Sequence, residues 1–181
     1  MNAAAGFCVF DTEIGACGLA WGDHGIVGVQ LPQAHAEATR ARMRQRFPGT
    51  QEVPAPPAMQ SVVTRITALL AGHADPLLDV ALDMTDVTAF HQRVYAIARA
   101  IPPGRTLTYG EVAEQLGEPG AARAVGQALG HNPFAPVVPC HRVLAARNAG
   151  GGFSAAGGVA TKLRMLQIEK AQLGPEPGLF D

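Results

Sequence analysis

Short apolar runs separated by small turn residues fill residues 7–31. Val9-Phe10-Asp11, Gly18-Leu19-Ala20-Trp21 and Ile26-Val27-Gly28-Val29-Gln30-Leu31 alternate with turns at Ile14-Gly15 and Gly22-Asp23-His24-Gly25. This spacing predicts a β-hairpin or meander. Residues 34–46, rich in Ala and Arg, predict a surface helix. The four prolines of residues 47–57 predict a loop. Val62, Ile66, Leu69 and Leu70 recur at helical spacing and predict a helix over residues 58–71. Residues 78–84 alternate loosely between apolar and polar and are read as one more strand.

The period becomes helical from about residue 86. Residues 88–100 place Phe90, Val94, Ile97 and Ala98 on one face, with Thr88 as N-cap. Pro102-Pro103-Gly104 ends that helix. Thr108 is positioned to cap a short helix that stops at Gly117, and residues 121–130 form another. Two short helices about a Gly-containing turn resemble a helix-turn-helix. A last helix over residues 159–171 puts Val159, Leu163, Leu166 and Glu169 near one stripe. Strands and helices run in separate blocks, so the expected fold class is α+β. A small β-containing subdomain, residues 1–85, precedes a helical domain, residues 86–181.

Composition narrows the classes. The 181 residues are 48% hydrophobic and 16% charged, which fits a globular chain and argues against a disordered one. No apolar run reaches the ~18 residues of a membrane span. Residues 1–5 hold neither a basic region nor a long apolar stretch, so no signal peptide is expected. Three cysteines, Cys8, Cys17 and Cys140, are an odd set, which favours a reducing cytoplasm over a disulfide framework. Residues 1–90 carry five Arg, no Lys and nine acidic residues, a net of −4. Residues 91–181 carry nine basic and six acidic residues, a net of +3. The asymmetry suggests that the second half meets an anion, though chance variation between halves gives the same result.

Residues 136–143 read Pro-Val-Val-Pro-Cys-His-Arg-Val. A cysteine beside a histidine allows nucleophilic catalysis, because a base or a nearby positive charge activates the thiol. Adjacent side chains usually diverge, so a water would carry the proton from Cys140 to His141. A buried structural thiol remains the alternative. A carboxylate on an apolar stripe requires a partner if buried, and a Cys140–His141–Glu169 relay would supply one. A helix-end glutamate reaching solvent is the other reading of Glu169.

Val138-Pro139-Cys140-His141-Arg142-Val143 resembles the active-site signature of the O6-alkylguanine-DNA alkyltransferases. The resemblance extends through Phe90-x-x-x-Val94, Ile101-Pro102-x-Gly104, Thr108-Tyr109-Gly110-Glu111-Val112-Ala113, Ala122-Arg123-Ala124-Val125-Gly126 and Asn132-Pro133. It continues downstream in Gly157-Gly158-x-Ala160-x-Lys162 and Leu166-x-x-Glu169-Lys170. It is specific over about residues 86–171 and loose over residues 7–85, where the family likeness implies a ribonuclease-H-like subdomain.

The resemblance implies direct-reversal repair of double-stranded DNA that contains O6-alkylguanine, with irreversible single-turnover transfer of the alkyl group to Cys140. The alkyl range and O4-alkylthymine stay open. His141 would act as base, Glu169 would orient it, and Asn132 would hold the turn and the histidine. Arg123 would fill the gap left by a flipped nucleotide in the minor groove. Ala122, Ala124 and Gly126 would let the helix approach the DNA closely. Tyr109 would help rotate the nucleotide, and the carbonyls of Cys140 and Val143 would read the guanine amine. Ser154 and Phe153 would line the substrate pocket. Members often read Tyr-Ser-Gly-Gly there, whereas this chain runs Phe153-Ser154-Ala155-Ala156-Gly157-Gly158, two residues longer. No cofactor or metal is expected, since the family's zinc ligands do not fall on Cys8, Cys17 or His24. A monomer is expected, with no membrane partner. The alternative is a non-catalytic alkyltransferase-like binder of damaged DNA, a class in which the active cysteine is replaced.

Overall fold

The computed structural model describes residues 4–145 and 158–171. Three strands, β1 (Gly6–Thr12), β2 (Gly15–Gly22) and β3 (Gly25–Gln30), form an antiparallel meander in the order β1-β2-β3. Gly25 closes the second turn at φ +117°, where a Cβ would meet the Ala81 carbonyl oxygen at 2.5 Å. The sheet is covered on both faces. Cys17, Leu19 and Trp21 of β2 face the main core, whereas Ala20 packs with Phe7, Val27 and Met43 of the next helix. Two buried faces explain the nearly continuous burial of β2 where a half-exposed strand would alternate.

Helix α1 (Ala36–Arg46) lies across β2, and α2 (Pro57–Leu70) buries Val62, Val63, Ile66, Leu69 and Leu70. The strand expected at residues 78–84 does not form; a single bridge joins Leu82 to Ile26. The reason is distant in sequence. Arg99 Nη2 takes the carbonyls of Leu77, Leu78 and Val80, and Leu77 adopts φ +53°, so this stretch is a turn.

Helix α3 (Ala89–Arg99) starts at Thr88, whose hydroxyl accepts the His91 N–H. Strand β4 (Leu107–Thr108) leads into α4 (Tyr109–Gln115). There Thr108 and Glu111 form a reciprocal capping box at 3.1 and 2.9 Å. Gly117 at φ +79° ends the helical run, and α5 (Ala122–Gly130) completes the helix-turn-helix. Tyr95 of α3 donates its buried hydroxyl to the Ala128 carbonyl of α5 at 2.8 Å. A single 3-10 turn (Cys140–Arg142) precedes β5 (Val143–Leu144), which pairs in parallel with β4. That pairing sets Tyr109 next to the Cys140 segment.

Helix α6 (Val159–Ile168) is shorter than the expected 159–171, and Glu169 is its C-cap. Its buried stripe is Lys162, Met165 and Leu166, while Val159 is exposed. One apolar cluster runs from Leu19 and Ile66 through Val94 and Val125 to Cys140. At the sheet edge, Val29 N–H donates to the Pro133 carbonyl at 2.8 Å, and Arg46 donates to the Val29 carbonyl at 2.8 Å. The β3 edge is thereby tied to the turn that leads to Cys140. Among the described residues, no helix is long and apolar enough to cross a membrane.

Candidate active site

Asn132 organises the approach to the cysteine. Its Oδ1 accepts the Phe134 N–H at 2.9 Å, and its Nδ2 donates to the Val138 carbonyl at 2.8 Å. This side chain folds residues 132–138 into a turn, which suits the local bonding habit of Asn. The 3-10 turn that follows closes with the Val143 N–H on the Cys140 carbonyl. Three successive side chains then point inward: Cys140 is 6% exposed, His141 0% and Arg142 1%.

A buried guanidinium and imidazole need an acceptor, and α6 brings one. Glu169 Oε1 accepts Arg142 Nε at 2.9 Å, and Oε2 accepts Arg142 Nη2 at 2.7 Å. Oε2 also lies 2.9 Å from His141 Nε2. The remaining guanidinium bond, from Nη1, goes to the Ile101 carbonyl at 2.8 Å. Burial pushes the Glu169 carboxyl up. The contact with His141 and the hydrogen bonds and charge of Arg142 outweigh it and hold the group well below the ordinary carboxyl range. Burial, with the Arg142 and Lys162 charges, holds His141 below its ordinary value in spite of Glu169. The pair is therefore an ionised carboxylate on a neutral imidazole. A carboxylate only accepts, so Nε2 carries the hydrogen and Nδ1 carries the free lone pair. Nδ1 is buried without a hydrogen-bond partner among the described residues.

Burial pushes the Cys140 thiol up. The Asn132 side chain, the Lys162 charge and the N–H groups of Cys140 and His141 oppose that shift without cancelling it. The resting group is a protonated thiol beside a base. Cys8 and Cys17 are also free, but burial raises them to about 11 and about 12. The side chain of Lys162 donates to the Val143 carbonyl at 2.8 Å and stands 5.9 Å from the centre of the Tyr109 ring.

The structure brings Cys140, His141, Glu169, Asn132, Val143 and Tyr109 into this one region. The bonds of Asn132 go to the turn and to Cys140, and among the described residues none goes to His141. Among the described residues, the carbonyls of Cys140 and Val143 each accept one bond, from the Val143 N–H and from Lys162, and a carbonyl oxygen has two lone pairs. Arg123 is exposed on the first turn of α5, between Ala122 and Ala124, and has no side-chain partner among the described residues. Gly126 faces the Tyr109 ring, where a Cβ would sit 3.9 Å away in ordinary contact. Phe153 and Ser154 lie outside the described residues. Sequence reasoning did not single out Arg142 and Lys162 as site residues. The available signal was their place on the same patterns, Arg142 beside His141 and Lys162 seven residues before Glu169. No group of three or more His, Cys, Asp or Glu among the described residues could hold a metal ion.

The family profile for the 6-O-methylguanine DNA methyltransferase DNA binding domain matches residues 89–171. A methylated-DNA–protein-cysteine methyltransferase of Mycobacterium bovis is 44% identical over 132 residues, covering 73% of this chain and 78% of that protein. This chain belongs to the methylated-DNA–protein-cysteine methyltransferases. Solved methyltransferase structures agree along nearly its whole length. The Mycobacterium tuberculosis O6-methylguanine methyltransferase matches at TM-score 0.70 and 36% identity, covering 97% of this chain and 99% of that one. The Mycobacterium tuberculosis protein in complex with DNA matches at TM-score 0.71 and 37% identity, covering 91% and 92%.

In this methyltransferase the low Glu169 value has a consequence for stability. The carboxyl sits well below its ordinary 4.5 in the fold, so it stabilises the protein above that ordinary value. The contribution disappears as the pH falls below the ordinary carboxyl range. Glu169→Gln removes it and leaves the buried Arg142 without a counter-charge. Urea unfolding is expected to show a loss of about 3 kcal/mol at neutral pH, with wild type and variant converging in acid. Equal stability at neutral pH would contradict an ionised, buried Glu169.

Proposed function

We propose that this chain repairs O6-alkylguanine in double-stranded DNA by moving the alkyl group irreversibly to Cys140. The observation that carries this reading is the buried Cys140–His141–Glu169 set, in which an ionised carboxylate leaves a free lone pair on His141 Nδ1. Family membership supports it independently.

The chemistry runs as a displacement at carbon. His141 Nδ1 receives the thiol proton through a bridging water, with Glu169 compensating the charge that forms on the ring. The sulfur attacks the alkyl carbon, the S–C bond forms and the C–O6 bond breaks. The electron pair leaves on guanine, which takes the proton back from His141. The product is a thioether with no leaving group of its own, so each chain acts once. The protonated thiol at rest limits reaction with other electrophiles until a base and a substrate are in place.

An O6 substituent within a duplex is out of reach of a buried thiol, so the nucleotide must leave the stack at a cost of a few kcal/mol. Arg123 projects from the start of α5 to occupy the vacated space from the minor groove. Ala122 and Ala124 keep that surface close to the backbone, and Gly126 gives Tyr109 a flat support. Burial and Cys140 raise Tyr109, so its phenol stays protonated and able to donate to the flipped base. The second lone pairs of the Cys140 and Val143 carbonyls accept the guanine amine. The protein works as a cytoplasmic monomer; three free cysteines and a single-use site that needs no second subunit support this.

Intact-protein mass after mixing with duplex DNA containing O6-methylguanine tests the transfer. One methylene mass per chain on the Cys140 peptide is expected, and none in Cys140→Ser. A mark on Cys8 or Cys17 with Cys140 unmodified would overturn the assignment. For Arg123→Ala, repair of the duplex is expected to slow at least tenfold while reaction with free O6-benzylguanine, which needs no extraction, is unchanged. Equal slowing with both substrates would remove the wedge role.

A further inference from the structure

Lys162 has no exposed surface, yet among the described residues its ammonium bonds only to the Val143 carbonyl and faces the Tyr109 ring. Among the described residues it forms no ion pair with a carboxylate, and both oxygens of Glu169 are engaged by His141 and Arg142. Burying an unpaired ammonium is costly, so a fold that retains one needs an anion for it. The charges of the cluster say which. Arg142 and Glu169 cancel, and His141 is neutral, so Lys162 leaves one positive charge unbalanced. Cys140 is the group in electrostatic contact with Lys162 that turns negative during the reaction.

We propose that Lys162 is a positioning residue of alkyl transfer, whose buried ammonium stabilises the negative charge that the Cys140 sulfur acquires when His141 takes its proton. The inference rests on Cys140 as acceptor. The other titratable and charged groups facing the pair are His141 and Arg142 on the 3-10 turn, Glu169 at the end of α6, Tyr109 on α4 and Tyr95 on α3. Burial and the proximity of Cys140 raise both tyrosines, so neither supplies a competing anion. Burial lowers Lys162 to about 8, while the Cys140 charge acts to raise it. The lysine is therefore mostly cationic at neutral pH and responsive to the state of the sulfur. Once Cys140 is a neutral thioether, no anion can form beside the ammonium.

Single-turnover transfer from O6-methylguanine duplex DNA, followed against pH, tests this in the full chain. In Lys162→Met, which keeps the length of the stem, the limb for thiol ionisation is expected to move up by about one pH unit. Its rate at neutral pH should fall about tenfold and recover in alkali. Lys162→Arg is expected to keep the wild-type limb. Uniform slowing of Lys162→Met with the limb in place would make Lys162 a brace for Val143 and overturn the proposal. If Lys162→Met does not fold, Lys162→Gln, which keeps a donor for the Val143 carbonyl, is followed against pH in the same way. A limb moved up is expected, and an unmoved one overturns the proposal. Wild-type protein that gains no methyl mass would remove the reading of Cys140 itself, and this inference with it. Normal wild-type transfer with an unmoved limb removes this inference alone.

Discussion

Glu169 meets the 3-10 turn from the end of α6, and its two oxygens take three bonds from two consecutive side chains. Arg142 continues the contact to the Ile101 carbonyl beyond α3, so one buried carboxylate links three segments distant in sequence. The bidentate guanidinium pair has the geometry that makes burial of opposite charges tolerable. Because Arg142 keeps Glu169 ionised, the carboxylate can only accept from His141. The tautomer of the histidine follows from that, and so does the availability of Nδ1 as a base. Structural ion pair and chemical relay are the same contact.

The same burial shapes the nucleophile. Desolvation holds Cys140 protonated at rest, and the groups that favour its anion are fixed around it: the Asn132 side chain, two backbone N–H groups and a lysine. A thiol stored in this state reacts slowly with stray oxidants and alkylating agents, which track thiolate character and exposure. Cys8 and Cys17 are raised for the same reason, but the side chains acting on them are Glu52 and Thr12, with no imidazole among them. Discrimination among the three thiols thus comes from the proton acceptor and not from burial.

Signals confined to a few neighbouring residues were legible before the structure. Thr88 and Thr108 cap their helices because a hydroxyl at the start of a helical period has an N–H three residues on to accept. The meander over residues 7–31 followed from turn residues between short apolar runs. Glu169 stood out because a carboxylate on an apolar stripe needs a partner. Features set by distant residues were not legible. Residues 78–84 carry a strand-like pattern, but Arg99 of α3 captures the carbonyls just before Leu82. Hydropathy points the stripe of α6 through Val159 and Leu163, whereas the fold buries Lys162 and exposes Val159. A lysine reads as solvent-facing until the Val143 carbonyl and the Tyr109 ring are seen beside it. The two-residue pairing of β4 with β5 is too short to leave a pattern at all.

The claim on which the rest depends is that an ionised Glu169 holds His141 neutral with its hydrogen on Nε2. Nitrogen NMR of the His141 ring reads this directly. The expected spectrum at neutral pH is that of a neutral imidazole protonated at Nε2, a preference lost in Glu169→Gln. An imidazolium, or a neutral ring protonated at Nδ1, in the wild-type protein would contradict it.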